Sequence, residues 1–204
     1  MNESKNLQIL LIDDKRQIPY TEWEETVNPF LEHRTFDSWV ACVGSSPIYR
    51  GYSCGLWSLF HLLLTEAHLQ KAPDAKLVPF VIRDYVLEVF SCRSCSDNFR
   101  REVKEFQIEK IESTKDAVMW LWSLHNSVNM RLKGDSSEDP EVPKFKYPPS
   151  WICRDCMRKT QFVRKNVFKF LLSKYANDNL SEHYLVTSEI GDKAKILSDH
   201  HLDL

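Results

Sequence analysis

The chain has 204 residues, 43% of them hydrophobic, enough for one domain with a real core or for a domain with an appendage. A formal net charge of -2 leaves no basic excess that would point to nucleic acid or to an acidic membrane surface. Glycine is scarce, at 5 residues, which argues against a sheet-rich fold with many tight turns.

The first five residues are polar, and no signal-peptide core follows them, because residues 7–12 are too short and close on Asp13-Asp14. No apolar run reaches the roughly 18 residues of a membrane helix. The sequence therefore reads as cytosolic, or as a fragment whose targeting segment lies elsewhere. Residues 1–45 mix charges with Trp23, Phe30, Phe36 and Trp39, and they run into Gly44-Ser45-Ser46-Pro47. This predicts a short helical appendage followed by a linker.

Four or five helices are expected after it. Leu56, Leu59, Phe60, Leu63 and Leu64 give helical spacing over 52–71, stopped before Pro73. Residues 79–90 are apolar around Arg83-Asp84 and predict a second helix. Cys95, Phe99, Val103 and Phe106 share one face of a third over 92–106. A fourth opens with Ser113-X-X-Asp116, a start resembling a capping box, and closes before Gly134. Pro140, Pro143, Pro148 and Pro149 forbid its continuation. A last helix is predicted over 153–175, with Phe162, Phe168 and Leu171-Leu172, and the residues after about Asn177 look polar and loosely held. The fold class is all-α, a helical bundle.

The cysteines carry the first chemical signal. The six are Cys42, Cys54, Cys92, Cys95, Cys153 and Cys156, an even number with four in close pairs, as in oxidised secretory proteins and in cytosolic zinc proteins alike. Cys92 falls near a predicted helix N-terminus, where free N–H groups and the helix dipole favour thiolate, and Arg93 adds positive charge. Read alone, Cys92-X-X-Cys95 is equally a redox dithiol or half of a zinc site. Zinc usually takes its second pair about 12–20 residues on, and Cys153 lies far beyond that. Cys42 and Cys54 could close a small loop and pin the appendage to the first helix, contributing roughly 3 kcal/mol in the chain-entropy model. The Cys153–Cys156 pair is either a structural clip or a second electron relay.

The second signal is a polar stripe. Trp122, His125, Asn126 and Asn129 stand at i, i+3, i+4 and i+7 on one helix face. A core-facing stripe carries Leu or Val, and a buried amide without a partner costs about 1–3 kcal/mol. Either this face is exposed, or a polar ligand meets it, and exposed Trp is uncommon. Cys54, Trp57 and His61 at i, i+3 and i+7 give the first helix the same character. A lone His is more often a satisfied core residue than a ligand contact, but two helices each offering Trp and His can line one aromatic slot for a flat ring. Arg50, Arg131 and Lys144 are available for phosphate. No glycine-rich phosphate loop is present, so a nucleotide would bind between helices.

These residues resemble the flavin-linked sulfhydryl oxidase (Erv/ALR) domain, and within it the quiescin sulfhydryl oxidases. The segments are Arg50-Gly-Tyr-Ser-Cys-Gly-Leu-Trp-Ser-Leu-Phe-His61, Cys92-Arg-Ser-Cys95 and Trp122-Ser-Leu-His-Asn-Ser-Val-Asn-Met-Arg-Leu132. Ser137-Glu-Asp-Pro140, Pro143-Lys144, Tyr147-Pro-Pro149 and Cys153-X-X-Cys156 follow. The likeness covers roughly residues 45–175, and its order and spacing are specific where one Cys-X-X-Cys is not.

The resemblance implies a four-helix bundle with an additional short helix, holding FAD between helices beside Cys92 and Cys95. It implies flavin contacts from Arg50, Trp57, His61, Ser94, Asn98, Trp122, His125, Asn126, Val128, Asn129, Lys144 and Tyr147, and no metal. It supports pairing Cys42 with Cys54, Cys92 with Cys95 and Cys153 with Cys156. The family often has His where Asn98 stands and Trp where Tyr147 stands. An oxidase domain is expected over 46–176, with residues 1–45 as the end of a preceding helical region and 177–204 as a tail. Full-length relatives carry a signal peptide and thioredoxin-like domains. Neither is found here, so the chain reads as a fragment or truncated form of a secretory-pathway protein (Golgi or ER lumen, or extracellular).

The expected activity is oxidation of dithiols to disulfides with reduction of dioxygen to hydrogen peroxide. Electrons would come from an external dithiol, reduced protein thiols or a separate thioredoxin-like partner. Cys92 is expected to exchange with the incoming dithiol, and Cys95 to sit nearer the flavin. The rivals are a zinc-stabilised helical module without catalysis and a helical interaction scaffold that its cysteines only staple.

Overall fold

The computed structural model describes residues 42–176, together with Pro19, Thr21 and Glu25. Almost all of the expected appendage over 1–45, and all of the expected tail over 177–204, lie outside the described residues. Five α-helices run through the described part.

The first, α1, spans Gly51–Leu69 and buries Phe60, His61, Leu64 and Thr65 on one face. It ends as the Gln70 N–H returns to the Glu66 carbonyl at 2.8 Å, and Lys71, at φ 54, turns the chain toward Pro73. The second, α2, spans Leu77–Glu88 and buries Pro79, Ile82 and Val86. It starts two residues before the expected position. Pro79 lies in the first turn, where its missing N–H costs nothing.

The third helix, α3, spans Arg93–Glu105 with Cys92 as its N-cap. Its buried face is Ser96, Phe99, Glu102 and Val103. The expected face is thus rotated by one residue, with Cys95 exposed and Ser96 inside. Ser96 tolerates burial because its Oγ donates to the Val86 carbonyl at 2.8 Å.

Helix α4, Thr114–Leu132, is the axis of the core. Ser113 and Asp116 form a reciprocal capping box at its start, a feature worth about 0.5–2 kcal/mol. Val118, Leu121 and Leu124 are almost fully buried along it. They pack in one cluster with Leu64 of α1, Ile82 of α2, Phe99 of α3, and Val167 and Leu171 of the last helix. Each such side chain contributes roughly 1.5–3 kcal/mol on burial. Across the α3–α4 contact, Arg131 donates from Nε to Glu102 Oε1 at 2.8 Å.

The sequence from Cys153 onward does not form the single helix expected over 153–175. A short 3-10 turn, Arg154–Cys156, is followed by strands β1 (Met157–Arg158) and β2 (Gln161–Phe162) in antiparallel register. The chain reverses through Lys159 at φ 55. Helix α5, Arg164–Tyr175, begins only after this hairpin. Among the described residues no helix is long and apolar enough to cross a membrane.

Candidate functional site

The dithiol pair sits where α3 begins. Cys92 and Cys95 are joined as a disulfide with Cα atoms 5.2 Å apart. As the N-cap, Cys92 accepts the Cys95 backbone N–H on its sulfur at 3.3 Å. Ser94 Oγ lies 3.5 Å from the same sulfur. An N-terminal helix position of this kind lowers a thiol's pKa once the disulfide is open. Cys95 is exposed and Cys92 half-buried, so exposure alone does not rank Cys92 as the outward sulfur. Asn98, one turn further, accepts from Arg101.

The two Trp-His faces meet. Trp57 of α1 and His125 of α4 stack in parallel, with ring centroids 4.0 Å apart and 4° between the planes. His61 Nε2 and His125 Nδ1 are 3.1 Å apart, and the far face of His61 stacks on Tyr175 at 4.8 Å. Trp57 also touches Phe99 of α3, one helical turn beyond Cys95, which ties the dithiol helix to the aromatic cluster. The sequence predicts one aromatic slot lined by both Trp-His faces. Here the indole and imidazole rings of those faces lie directly against each other.

Burial pushes His61 down to about 3, helped by the charge of Lys174. Burial also holds His125 well below its ordinary value, with His61 and Lys144 adding to the effect. Both imidazoles are therefore neutral near pH 7, which lets one ring nitrogen donate while the other accepts.

Two members of the polar stripe on α4, Trp122 and Asn126, are bonded to the chain's own backbone. Asn126 Nδ2 donates to the Tyr147 carbonyl at 2.9 Å, and its Oδ1 accepts the Tyr147 N–H at 2.6 Å. Trp122 Nε1 donates to the same carbonyl at 2.6 Å. Asn129 is half-buried on that face, while Val128 points into the core and is 8% exposed. The stripe thus clamps the loop carrying Lys144 and Tyr147 over α4.

Two cations flank this region. Arg50, at the start of α1, has its guanidinium held below the ordinary value by burial, with Asp139 opposing. Burial also lowers Lys144, while Glu138 raises it and Arg50 lowers it further. The Asp139 carboxylate favours the charged form of both cations. Lys174 and Tyr175 were not singled out in the sequence. Burial pulls Lys174 down to about 8, and its Nζ lies 5.3 Å from the Tyr147 ring centre. The spacing Val167, Leu171, Tyr175 along α5 was the available signal that Tyr175 packs against the core.

The other cysteines are paired as well. Cys42–Cys54 closes the turn before α1, and Cys153–Cys156 ties the loop ahead of the hairpin, with Cys156 fully buried. A zinc site would need Cys92, Cys95, Cys153 and Cys156 as free thiolates converging on one point. Their sulfurs are in two separate disulfides, and among the described residues no group of three or more His, Cys, Asp and Glu side chains is placed to hold a metal.

Comparison with known proteins gives the geometry a context. The model of the Erv1 / Alr family matches residues 54–148. Sulfhydryl oxidase 1 of Gallus gallus is 37% identical over 84% of this chain and 24% of its own length. Sulfhydryl oxidase 2 of Homo sapiens is 35% identical over 77% of this chain and 24% of its own length. The chain thus spans about a quarter of the length of these curated relatives. A solved sulfhydryl oxidase fragment of human QSOX1 superposes with a TM-score of 0.76 at 34% identity, covering 87% of this chain and 76% of that one. The all-α bundle read from the sequence is the fold of that fragment. Its dithiol-capped third helix and clamped α4 face, together with these likenesses, place the chain in the Erv1/Alr family, on its quiescin sulfhydryl oxidase branch.

Proposed function

We propose that this chain is the oxidase module of an FAD-dependent sulfhydryl oxidase, turning dithiols into disulfides while dioxygen becomes hydrogen peroxide. One observation carries the reading: the Cys92–Cys95 disulfide caps α3, and α3 touches the His61–His125–Trp57 cluster through Phe99. The residues present fit the cofactor. Trp57, His61 and His125 gather aromatic surface and neutral imidazoles in one place, and Arg50 and Lys144 offer charge for a diphosphate. Trp122, Asn126, Val128, Asn129, Tyr147, Ser94 and Asn98 complete the proposed contact set. When bound, FAD supplies a two-electron acceptor that can pass its electrons to dioxygen.

The protein's own part is thiol exchange. A substrate thiolate attacks Cys92 Sγ, the Cys92–Cys95 bond breaks, and Cys95 leaves as thiolate. The second substrate thiolate then attacks the mixed disulfide and expels Cys92, and the substrate departs oxidised. Cys92 suits that second step, because the α3 N-terminus stabilises it as a leaving thiolate. The pair has then gained two electrons, and restoring the disulfide requires the two-electron acceptor that FAD would supply when bound. Neutral His61 and His125 keep positive charge away from the ring pair while leaving an N–H to donate. The partners are dithiols, reduced protein thiols or a thioredoxin-like domain. Three disulfides suit an oxidising compartment of the secretory pathway or the cell exterior.

The test is oxygen consumption with dithiothreitol. Wild-type protein should turn over, and Cys95→Ser should retain the cofactor with no turnover. Appreciable oxygen uptake by Cys95→Ser would reject the assignment.

A further inference from the structure

We propose that Asp139 is a positioning residue: through Ser45 it locks the turn that carries Arg50 onto the loop that carries Lys144, so that the two cations form one pre-set clamp for the phosphates of the cofactor. The inference rests on the FAD reading above.

Asp139 is 3% exposed, an unusual state for a loop carboxylate. Its Oδ2 accepts the Ser45 N–H at 2.9 Å, and its Oδ1 accepts the Ser45 hydroxyl at 2.7 Å and the Glu141 N–H at 3.0 Å. These are charge-assisted bonds, about twice the strength of neutral ones. Ser45 and Asp139 are 94 residues apart, so the bonds join two distant loops. The placement is symmetric: Ser45 lies one turn of chain ahead of Arg50, and Asp139 stands the same distance ahead of Lys144.

Each arm is already stiff. Arg50 has φ 60 and ψ -91, a conformation that L-residues rarely adopt, costing about 1–3 kcal/mol unless its surroundings enforce it. Here they do. The Cys42–Cys54 disulfide encloses it, the Gly51 N–H donates to the Cys42 carbonyl at 3.0 Å, and the Tyr49 N–H donates to the Ser46 carbonyl at 3.0 Å. The turn is so close that a Cβ on Gly44 would lie 2.3 Å from the Tyr49 oxygen. On the other arm, Glu138 accepts the Gly134 N–H at 2.5 Å and also the Lys144 N–H. The Ser45–Asp139 bonds join these two stiff arms. The Asp139 charge acts favourably on both Arg50 and Lys144, offsetting the repulsion between them before any anion arrives.

The test compares two probes on cofactor-free protein, FAD and riboflavin, the second of which lacks phosphates. Affinities are measured by flavin fluorescence for wild type, Asp139→Ala, Ser45→Ala and Ser45→Thr, with helicity checked for each. Asp139→Ala should weaken FAD about 10–100-fold, the range typical when an outer partner of a binding group is lost. Ser45→Ala should weaken it less, and Ser45→Thr, which keeps both bonds, should match wild type. Riboflavin affinity should stay the same throughout. Equal losses for FAD and riboflavin, or an unchanged FAD affinity in Asp139→Ala, would overturn the inference alone. If Asp139→Ala does not fold, Ser45→Ala decides by the same comparison. A wild-type chain that takes up no FAD would overturn the cofactor reading and this inference with it.

Discussion

Replacing Asn126 with Ala tests whether the polar stripe of α4 is held by the chain itself. Asn126 makes three hydrogen bonds: to the Tyr147 carbonyl at 2.9 Å, to the Trp122 carbonyl at 3.1 Å, and from the Tyr147 N–H at 2.6 Å. The Tyr147 carbonyl keeps its bond from Trp122 Nε1, so that group stays satisfied. The Tyr147 N–H is left without its acceptor. At about 1 kcal/mol for each of the three bonds lost, the expected destabilisation is at least about 3 kcal/mol. For a chain of this size that is roughly 6–12 °C in Tm. Urea unfolding followed by circular dichroism should show a lower midpoint at unchanged slope. Amide exchange at Tyr147 should quicken. Asn126→Asp should be as damaging, because a carboxylate keeps the acceptor but faces the Tyr147 carbonyl with no donor. A loss below about 1 kcal/mol, with the Tyr147 amide still protected, would refute the argument that this amide pairing holds the loop.

Acidification should reveal the buried imidazoles. The folded chain keeps His61 neutral down to about 3, whereas the unfolded chain protonates it near 6.5. Stability is therefore full above 6.5 and falls as pH drops toward about 3, by up to ~1.4 kcal/mol per pH unit for this group. The fall in urea midpoint should be shallower in His61→Phe, and parallel profiles would contradict the assignment. Cys153→Ser and Cys156→Ser should keep much of the turnover with a small dithiol while losing stability, as fits a pair whose second sulfur is fully buried. Total loss of turnover in a folded variant would make that pair an obligatory electron relay.

The sequence exposes local order well and tertiary partners poorly. Helix α4 was legible from Ser113-X-X-Asp116 and its apolar spacing, because a capping box and a 3.6-residue period are local properties. The hairpin between Cys156 and Arg164 was not. Strands of two residues carry no readable alternation, and the reversal uses Lys159 at positive φ where Gly or Asn would have announced it. The rotated face of α3 has a similar origin, since Ser96 looks like a surface residue until its bond to Val86 is seen.

For the site, the Trp-His faces of α1 and α4 were visible as faces, and they do come together. How their polar atoms are satisfied was not visible. The partner of Asn126 is a backbone amide 21 residues away, and the partner of Arg131 is a carboxylate 29 residues away. Periodicity has no access to either. Asp139 stands in the Ser137-Glu-Asp-Pro140 segment, yet its acceptor role depends on Ser45, 94 residues away.

The most direct measurement is the visible spectrum of purified, undenatured protein, taken before and after anaerobic dithiothreitol. A flavin band that survives dialysis, bleaches when the dithiol is added and returns on admitting air is the expected result. Protein that stays colourless after incubation with excess FAD, or a flavin band that the dithiol cannot bleach, would contradict electron transfer from Cys92 and Cys95 to a bound flavin.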